Sequence, residues 1–403
     1  MRNYFNKKVY GFLAVLVIVS MIGLWWPVKT HAAFSYYKTI TIDHTKVPNT
    51  DQTNFPVLIS LTDANLKSTG NGGNVQNANG YDIRPYSDAG LSSALTFELE
   101  NYNASTGEVV MWVKVPTLSH TSDYVIYLAY GDATISTNGS SSSTWDSDFK
   151  GVWHLPNGST LTANDSTSNA NNGTSRNGVT AASGQIDGAA SFASASSQQI
   201  TTATNFGSNA IGQSYSESGW IKTSSKGNTV MGFTGDQLND GGGWDRFFYT
   251  DSSTGVIRFA YYPGSYPNGL TGATSVTDGN WHFVYVTKTS GGNGLIYIDG
   301  NLDATGADGG GSYAGYTVSY FHIGYAGNLN WTNNTVRYFN GTMDEVRLSD
   351  IARSADWIKT EYNNQSATST FYTVGSQTPF SSESATSKVI ATGRLLFNGR
   401  VMF

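Results

Sequence analysis

The chain has 403 residues and a net charge of −6, and 13% of its residues are charged, about half the share of an average soluble protein. Gly supplies 45 residues and aromatic residues make up 13%, a mixture typical of an all-β extracellular protein and unlike that of a helical bundle. Cysteine is absent, which excludes disulfides, zinc–thiolate sites and thiol nucleophiles. The acidic balance argues against a nucleic-acid partner, which requires a basic surface.

The N-terminus has the pattern of a secretory signal at 1–33. Basic residues within the first eight positions precede an apolar run at 9–26, and small side chains follow that fit cleavage near Ala32. The alternative is a retained anchor, since about 18 apolar residues approach the length that spans a bilayer. In both cases residues 34–403 are expected outside the cytoplasm, secreted or at the cell surface.

Alternation with period two opens the mature chain at residues 36–43 and returns in four further runs before residue 131. Asn-, Gly- and Ser-rich clusters separate these runs, so the pattern predicts a β-sandwich domain over 34–135. Residues 136–144 contain only Ser, Thr, Asn and Gly, and they predict a flexible hinge within a linker at 136–147.

About ten further strand-like runs follow from residue 151, too many for a seven-stranded immunoglobulin-like sandwich. They predict a two-sheet jelly roll over 148–378. A short helix is expected after Ser354, which can cap its N-terminus, and a last strand is expected near residues 370–374. The tail at 379–403 is Ser-rich and ends in a hairpin pattern around Asn398-Gly399.

Two resemblances support this division. The first segment resembles a domain of unknown function often found ahead of laminin G-like domains in bacterial surface proteins, and the second resembles the laminin G-like, concanavalin A-like jelly roll. The motifs that carry these resemblances are Tyr36-Tyr-Lys-Thr-Ile-Thr-Ile, Val110-Met-Trp-Val-Lys-Val-Pro, Asp278-Gly-Asn-Trp-His-Phe-Val, Ile296-Tyr-Ile-Asp-Gly and Phe339-Asn-Gly-Thr-Met-Asp-Glu-Val-Arg-Leu. The resemblance implies a fold that carries lectins, glycosidases and adhesion modules alike, so function needs its own argument.

Motifs of catalysis are missing from the sequence. The Glu-x-Asp-x-x-Glu strand of laminarinase-like glycosidases does not occur, nor does a Gly-x-Ser-x-Gly elbow, and no two histidines have the i,i+4 spacing of a helical zinc site. Glu98 and Glu100 are i,i+2 neighbours, but on a strand of the first domain, where solvated carboxylates are expected. His154, His282 and His322 are expected as hydrogen-bonded, buried or half-buried side chains. No catalytic residue is assigned.

Aromatic residues in Gly-rich loops offer the best argument for ligand binding. Trp244, Tyr262, Tyr266 and Trp331 are the candidates, because an exposed ring can stack on a sugar while Asn and Asp side chains bond its hydroxyl groups. The alternative is that these rings fold back as lids on the sandwich. Tryptophans within strands, by contrast, are expected in the core.

A structural calcium ion is the one cofactor expected, with Asp344 as its main ligand and Asp165 and Asp187 as weaker ones. Alternation places Asp344 on the inward face of its strand, and Glu345 and Arg347 on a hydrated outer face. An inward carboxylate requires backbone N–H donors, a cation or a paired base. Donation by backbone N–H groups alone is the alternative to calcium.

Three functions compete on this evidence. The favoured one is an exported, non-catalytic surface protein that binds a glycan or another cell-surface polymer through the jelly-roll loops. The alternatives are a structural or adhesive module that contacts other surface proteins, and a polysaccharide hydrolase with an unrecognised acidic pair. Contact with the membrane is expected only through an uncleaved N-terminal segment.

Overall fold

Strands make up most of the regular structure, as the sequence predicts for an all-β protein. The computed structural model describes residues 34–156, 161–202, 214–235, 244–260, 270–306, 320–326 and 333–380, which fall within one compact unit, Phe34–Phe380. The predicted signal at 1–33 and the predicted C-terminal hairpin lie outside these residues. Within them, no helix is long and apolar enough to cross a membrane.

The N-terminal part of the chain forms two small antiparallel sheets. Its strands are β1 (Tyr36–Ile42), β2 (Gln52–Thr62), β3 (Arg84–Tyr86), β4 (Phe97–Asn103), β5 (Glu108–Leu118) and β6 (Tyr124–Tyr130). One sheet has the order β2-β5-β4, and in the other β1 pairs with β6 and β6 with β3. Alternate residues of β1, such as Ile40 and Ile42, are buried, so the period-two pattern of the sequence reports the core face correctly.

The second part of the chain forms the predicted two-sheet sandwich. Its strands are β7 (Phe149–Trp153), β8 (Gly173–Arg176), β9 (Thr180–Ser183), β10 (Gly188–Phe192), β11 (Gln199–Thr202), β12 (Tyr215–Lys222), β13 (Thr229–Thr234), β14 (Trp244–Thr250), β15 (Val256–Ala260), β16 (Leu270–Ser275), β17 (Trp281–Lys288), β18 (Gly294–Ile298), β19 (Asn301–Gly306), β20 (Tyr320–Ile323) and β21 (Gly341–Ser349). The eight-stranded sheet has the order β19-β18-β17-β12-β21-β10-β9, with β7 also paired to β21. The seven-stranded sheet has the order β16-β15-β14-β13-β20-β11-β8.

The predicted helix is present as α1 (Ala355–Ser366), and the Ser354 hydroxyl accepts a hydrogen bond from the Trp357 N–H at 3.1 Å. A short helix α2 (Thr368–Phe371) and the strands β22 (Tyr372–Val374) and β23 (Thr378–Pro379) follow. Both strands pair with β1, so the end of the chain completes the N-terminal sheet rather than the jelly roll. Short 3₁₀ helices lie at His44–Lys46, Ala64–Leu66, Thr69–Asn71, Ser142–Thr144 and Ser194–Ser196.

The outer face of the eight-stranded sheet is covered on one side by α1. Trp220, Phe283, Tyr285 and Tyr297 of that sheet pack with Ile358 of the helix. The part of this face formed by β7 and β21 packs on the N-terminal sandwich, and the hydrophobic cluster there includes Trp112, Trp145, Phe149, Val152 and Trp357. One apolar cluster therefore takes residues from both predicted domains.

The Ser-rich linker is packed against the N-terminal sheets. The Ser141 N–H donates to the Phe97 carbonyl at 2.9 Å, the Ser140 hydroxyl accepts from the Leu99 N–H at 2.8 Å, and Arg84 donates to the Thr137 carbonyl at 2.8 Å. Serine hydroxyls and backbone groups here bond to strand β4, which composition alone does not reveal. The structure gives no support to a free hinge at 136–144, while the domain boundaries stay a prediction.

Candidate functional site

Charged side chains meet between the N-terminal sandwich and the outer face of the eight-stranded sheet. We call Glu98, Glu100, His154, Glu345 and Arg347 the carboxylate–histidine cluster. Glu98 and Glu100 come from β4, His154 directly follows β7, and Glu345 and Arg347 lie on β21. The elements on either side of the interface therefore each supply acidic side chains.

His154 is the centre of this cluster. Its Nδ1 lies 2.7 Å from Glu345 Oε1 and 3.5 Å from Glu100 Oε2, and its Nε2 lies 3.4 Å from Glu98 Oε2. The imidazole also stacks on the Trp112 ring at 5.6 Å between centroids. The prediction of a buried, hydrogen-bonded histidine is confirmed.

Glu98 and Glu100 are not solvated strand carboxylates, so that expectation is wrong. Glu98 accepts hydrogen bonds from Trp145 Nε1 and the Ser166 hydroxyl, both at 2.6 Å, and Glu100 Oε2 accepts from Trp112 Nε1 at 2.7 Å. The Glu100 side chain is only 2% exposed. The jelly roll covers this face of β4, a contact that no local pattern in the strand records.

Arg347 links the cluster to helix α1. Its guanidinium donates to Glu345 at 2.9 Å and to Glu361 at 2.7 Å, and it lies over the Trp112 and Trp145 rings at 4.4 and 4.9 Å. Such pairing and ring contacts compensate the charge of a buried guanidinium. Arg347 and Glu345 are therefore not hydrated, contrary to the expectation from alternation.

A β-bulge in β21 changes the face on which Asp344 lies. The register with β12 shifts so that Trp220 is opposite Asp344 and Ser218 is opposite Arg347, and Glu345 has a left-handed φ of 51°. Directly opposed residues share a face, and Trp220 packs on the outer side under α1. Asp344 therefore lies on the outer face, not on the inward face that simple alternation predicts.

Burial and neighbouring charges set the protonation of the cluster. Burial lowers the pKa of His154, but the carboxylates of Glu345, Glu100 and Glu98 outweigh it and raise the pKa well above its usual value. Burial raises the pKa of Glu100 to about 8, while His154 acts in the opposite direction. Burial also raises the pKa of Glu345, but His154 and Arg347 reverse this and leave that pKa below its usual value.

The three predicted metal ligands are each hydrogen bonded. Asp344 Oδ2 accepts from the Gln185 and Ile186 N–H groups at 2.9 and 2.8 Å, while its Oδ1 is buried without a hydrogen-bond partner. Asp165 accepts from three backbone N–H groups, those of Val152, Thr167 and Asn171. Asp187 accepts from the Asn101 amide at 3.0 Å. Burial raises the pKa of Asp344 well above its usual value, and Glu345 adds to the effect.

Among the described residues, two groups of three have histidine and carboxylate ligand atoms that all lie within 4.8 Å of one another. They are the exposed group Asp43, His44 and Asp123, and the buried group Glu100, His154 and Glu345. Neither group contains a predicted calcium ligand, and calcium at Asp344 stays a prediction. Sequence reasoning missed the buried group because its members are separated by up to 245 positions and come from three strands or strand ends.

The predicted sugar-binding rings fall outside the described residues. This holds for Tyr262, Tyr266 and Trp331, and for the side chain of Trp244, whose backbone begins β14. Trp244 is the register partner of Thr234, and the Thr234 hydroxyl lies 2.7 Å from His322 Nε2. The backbone of one candidate is therefore placed beside a polar group of the seven-stranded sheet.

The strands that flank these candidates end at two different places. Thr234 is opposite both Trp244 and Tyr320, and β15 ends at Ala260, opposite Phe247. Ala260, the last described residue before Tyr262 and Tyr266, therefore lies near the end of the sheet where β14 begins. Trp331 precedes Asn333, which bonds to Asp251 at the opposite end, between β14 and β15.

Two parts of the chain match known family models. Residues 194–359 match the concanavalin A-like lectin/glucanases superfamily. The match lies within the predicted jelly roll and confirms the resemblance drawn from its motifs. Residues 79–155 match a domain of unknown function (DUF2341), which confirms the resemblance of the first segment; the match extends across the Ser-rich linker into β7.

Solved structures similar to this chain include one arabinanase domain and two binding domains. Domain 4 of AbnA, a GH43 extracellular arabinanase from Geobacillus stearothermophilus in complex with arabinotriose, is 17% identical, with a TM-score of 0.37, over 54% of this chain and 98% of that domain. The binding domain of Paraclostridial Mosquitocidal Protein 1 is 11% identical (TM-score 0.41; 53% of this chain and 52% of that one). The binding domain of Botulinum Neurotoxin DC in complex with SialylT is 14% identical (TM-score 0.39; 54% and 51%). The match thus spans about half of each toxin domain. Among curated proteins, no sequence matches this chain.

Proposed function

We propose that the mature chain is an exported, non-catalytic surface protein whose concanavalin A-like jelly roll binds carbohydrate or a related cell-surface polymer. The match of residues 194–359 to a superfamily of lectins and glucanases carries this proposal. Within that superfamily, the choice between binding and hydrolysis rests on the state of the acidic side chains.

The state of these acidic side chains supports binding without catalysis. A retaining or inverting glycosidase needs two carboxyl groups that reach the same glycosidic bond. Glu100 and Glu345 lie close enough to interact, but their side chains are 2% and 0% exposed at the contact between the N-terminal sandwich and the jelly roll. A polysaccharide cannot reach them there. Glu361 is likewise buried, paired with Arg347.

The strand ends favour one set of aromatic residues over the other. Trp244 begins β14, and Ala260, the last described residue before Tyr262 and Tyr266, lies at the same end of the seven-stranded sheet. Asn333, described shortly after Trp331 in the chain, lies at the opposite end. Aromatic rings on neighbouring loops can stack on successive sugar units of one chain. We therefore assign the sugar contacts to Trp244, Tyr262 and Tyr266, with Trp331 as a matched control.

The test is affinity electrophoresis of the purified mature chain through gels that contain individual soluble polysaccharides. Loss of one stacking ring, as in Trp244→Ala or Tyr262→Ala, should weaken retention by about 10- to 100-fold, by analogy with base–aromatic stacking. Trp331→Ala should leave retention unchanged. The melting temperature of each variant shows whether the ring belongs to the core instead.

Two outcomes contradict this proposal. Release of reducing sugar ends by the wild type would make the protein a hydrolase. An absence of retention on every polysaccharide, with normal folding, would favour the adhesive module that contacts other surface proteins. Equal losses for Trp331→Ala and Trp244→Ala would contradict the assignment to one end of the sheet.

A further inference from the structure

Three ligand atoms of the carboxylate–histidine cluster converge from different elements. Glu100 on β4, His154 after β7 and Glu345 on the bulge of β21 each offer one atom, and these atoms lie within 4.8 Å of one another. His154 Nδ1 is 3.5 Å from Glu100 Oε2 and 2.7 Å from Glu345 Oε1. Imidazole nitrogen with carboxylate oxygen is a donor set that suits zinc and related divalent transition metals better than calcium, which takes oxygen ligands.

One buried oxygen of this group has no partner. Glu100 Oε1 accepts no hydrogen bond and is shielded from solvent, although the carboxylate is held against His154 through its other oxygen. Buried carboxylate oxygens normally have a donor or a cation. The unpaired Oε1 is thus a buried carboxylate oxygen available to bind a cation, and this observation is independent of the spacing of the three residues.

Negative side chains outnumber positive ones around this point. Glu98, Glu100 and Glu345 all face His154, and Arg347 is shared between Glu345 and Glu361. Four buried or largely buried carboxylates therefore face His154 and Arg347, and Arg353 also acts on Glu361. A divalent cation would balance the excess, as would protons on the carboxylates, and the two possibilities differ in experiment.

The groups around the three proposed ligands are placed as the hydrogen-bond partners of metal ligands usually are. Glu98 lies 3.4 Å from the second ring nitrogen of His154, and Trp112 Nε1 donates to Glu100 at 2.7 Å. Histidine ligands commonly have a carboxylate on the nitrogen that does not bind the metal, which fixes the ring and its tautomer. Arg347 holds the remaining oxygen of Glu345 at 2.9 Å in the same way.

We propose that Glu100, His154 and Glu345 form a binding site for a zinc-class divalent ion. Bound there, the ion replaces the His154–Glu345 hydrogen bond and occupies the free oxygen of Glu100. Its ligands come from β4 on one side and from β21 and the end of β7 on the other. The ion would therefore tie the N-terminal sandwich to the jelly roll.

The purified mature chain, incubated with zinc chloride and desalted, should carry about one zinc per chain by mass spectrometry. Cobalt in place of zinc should give visible absorption bands, which report directly on a nitrogen–oxygen ligand set. Glu100→Gln keeps an acceptor for Trp112 and should weaken zinc binding by about 100-fold. The matched control is His44→Gln in the exposed group Asp43, His44 and Asp123, which should leave zinc binding unchanged.

Several results would overturn the site. Zinc absent from a folded wild type would show that protons alone balance the cluster, and then Glu100→Gln should raise the melting temperature. Zinc lost with His44→Gln but retained with Glu100→Gln would place the ion in the exposed group. If Glu100→Gln does not fold, a wild type without cobalt absorption still contradicts the proposal, whereas absorption that zinc displaces and that His44→Gln retains supports it.

Discussion

Asp344 shows how a single carboxylate can anchor a strand. Its Oδ2 accepts from two backbone N–H groups, that of Gln185 in a part-buried bond and that of Ile186 in a buried one. Asp344→Ala leaves both donors without an acceptor and should lower the free energy of unfolding by about 2–4 kcal/mol. Asp344→Asn keeps an acceptor oxygen and should cost less than about 1 kcal/mol. Urea denaturation measures both, and equal losses would show that the N–H bonds do not matter.

The calcium prediction can be tested on the same residue. If Asp344 holds calcium, added calcium should raise the melting temperature of the wild type and have no effect on Asp344→Asn. The unpaired Oδ1 of Asp344 is the atom available for such an ion. A wild type whose melting temperature does not respond to calcium leaves Asp344 as an anchor held by N–H groups alone.

His282 predicts a pH dependence. Its Nδ1 lies 2.9 Å from Asp299 and its Nε2 lies 3.2 Å from Asp278, and the hydrogen bond with Asp299 raises the histidine pKa above its usual value. A pKa raised by folding stabilises the protein below the unfolded pKa of about 6.5, and the contribution is lost as the pH rises through the folded value.

His282→Gln should therefore lower the melting temperature more at about pH 5.5 than at about pH 8.5. The side chain is partly exposed, so the difference should be modest. Thermal unfolding of wild type and variant across this range provides the measurement. If His282→Gln lowers the melting temperature equally at about pH 5.5 and about pH 8.5, the ion pair of protonated His282 contributes nothing to stability.

At the scale of elements, β2 shows how the backbone N–H and carbonyl groups of an edge strand can be paired without another strand. It is the outer strand of the sheet β2-β5-β4, and the side-chain amide of Asn364 on α1 takes the place of a neighbour. Its Oδ1 accepts from the Leu58 N–H at 2.7 Å, and its Nδ2 donates to the Leu58 carbonyl at 3.0 Å. The Tyr372 hydroxyl bonds both backbone groups of Ser60 in the same way.

Asn364→Ala should lower the free energy of unfolding by about 1–3 kcal/mol, because the buried N–H and carbonyl of Leu58 lose their partners. The adjacent Asn363 makes one half-buried bond to the Lys46 carbonyl, so Asn363→Ala is a matched control with an expected loss below about 1 kcal/mol. Denaturant unfolding of the two variants compares them directly. Similar losses of the free energy of unfolding in the two variants would mean that water replaces Asn364 as the hydrogen-bond partner of the Leu58 backbone.

At the scale of the whole molecule, the two predicted domains share structure. β22 comes from the end of the chain and pairs with β1 near its start, and Trp357 of α1 packs on Phe55 of β2. We therefore expect one cooperative transition for residues 34–380 in calorimetry, and a separately expressed 34–135 fragment that unfolds at a markedly lower temperature. Two separate transitions, or a fragment as stable as the whole, would contradict this and favour the flexible hinge at 136–144.

The strands with clear local signals were determined by the sequence itself. The alternating run of β1 predicts both its conformation and its buried face. β5 and β17 hold enough β-branched and aromatic residues to predict strands, but most of their residues are buried on both faces. Ser354 indicates where α1 begins, because its hydroxyl accepts a hydrogen bond from the Trp357 N–H, which has no partner within the first turn. The two-sheet jelly roll follows from the number and spacing of these runs.

Tertiary structure alone decided the rest. Polar strands such as β8, β9 and β19 have no apolar alternation and exist because a neighbouring strand satisfies their backbone. The bulge at Glu345 turned Asp344 to the outer face, and the contact between β4 and the jelly roll buried Glu100. Both depend on pairing and packing between residues far apart in the chain, which no local pattern of side chains encodes. The carboxylate–histidine cluster is therefore a product of the assembled fold.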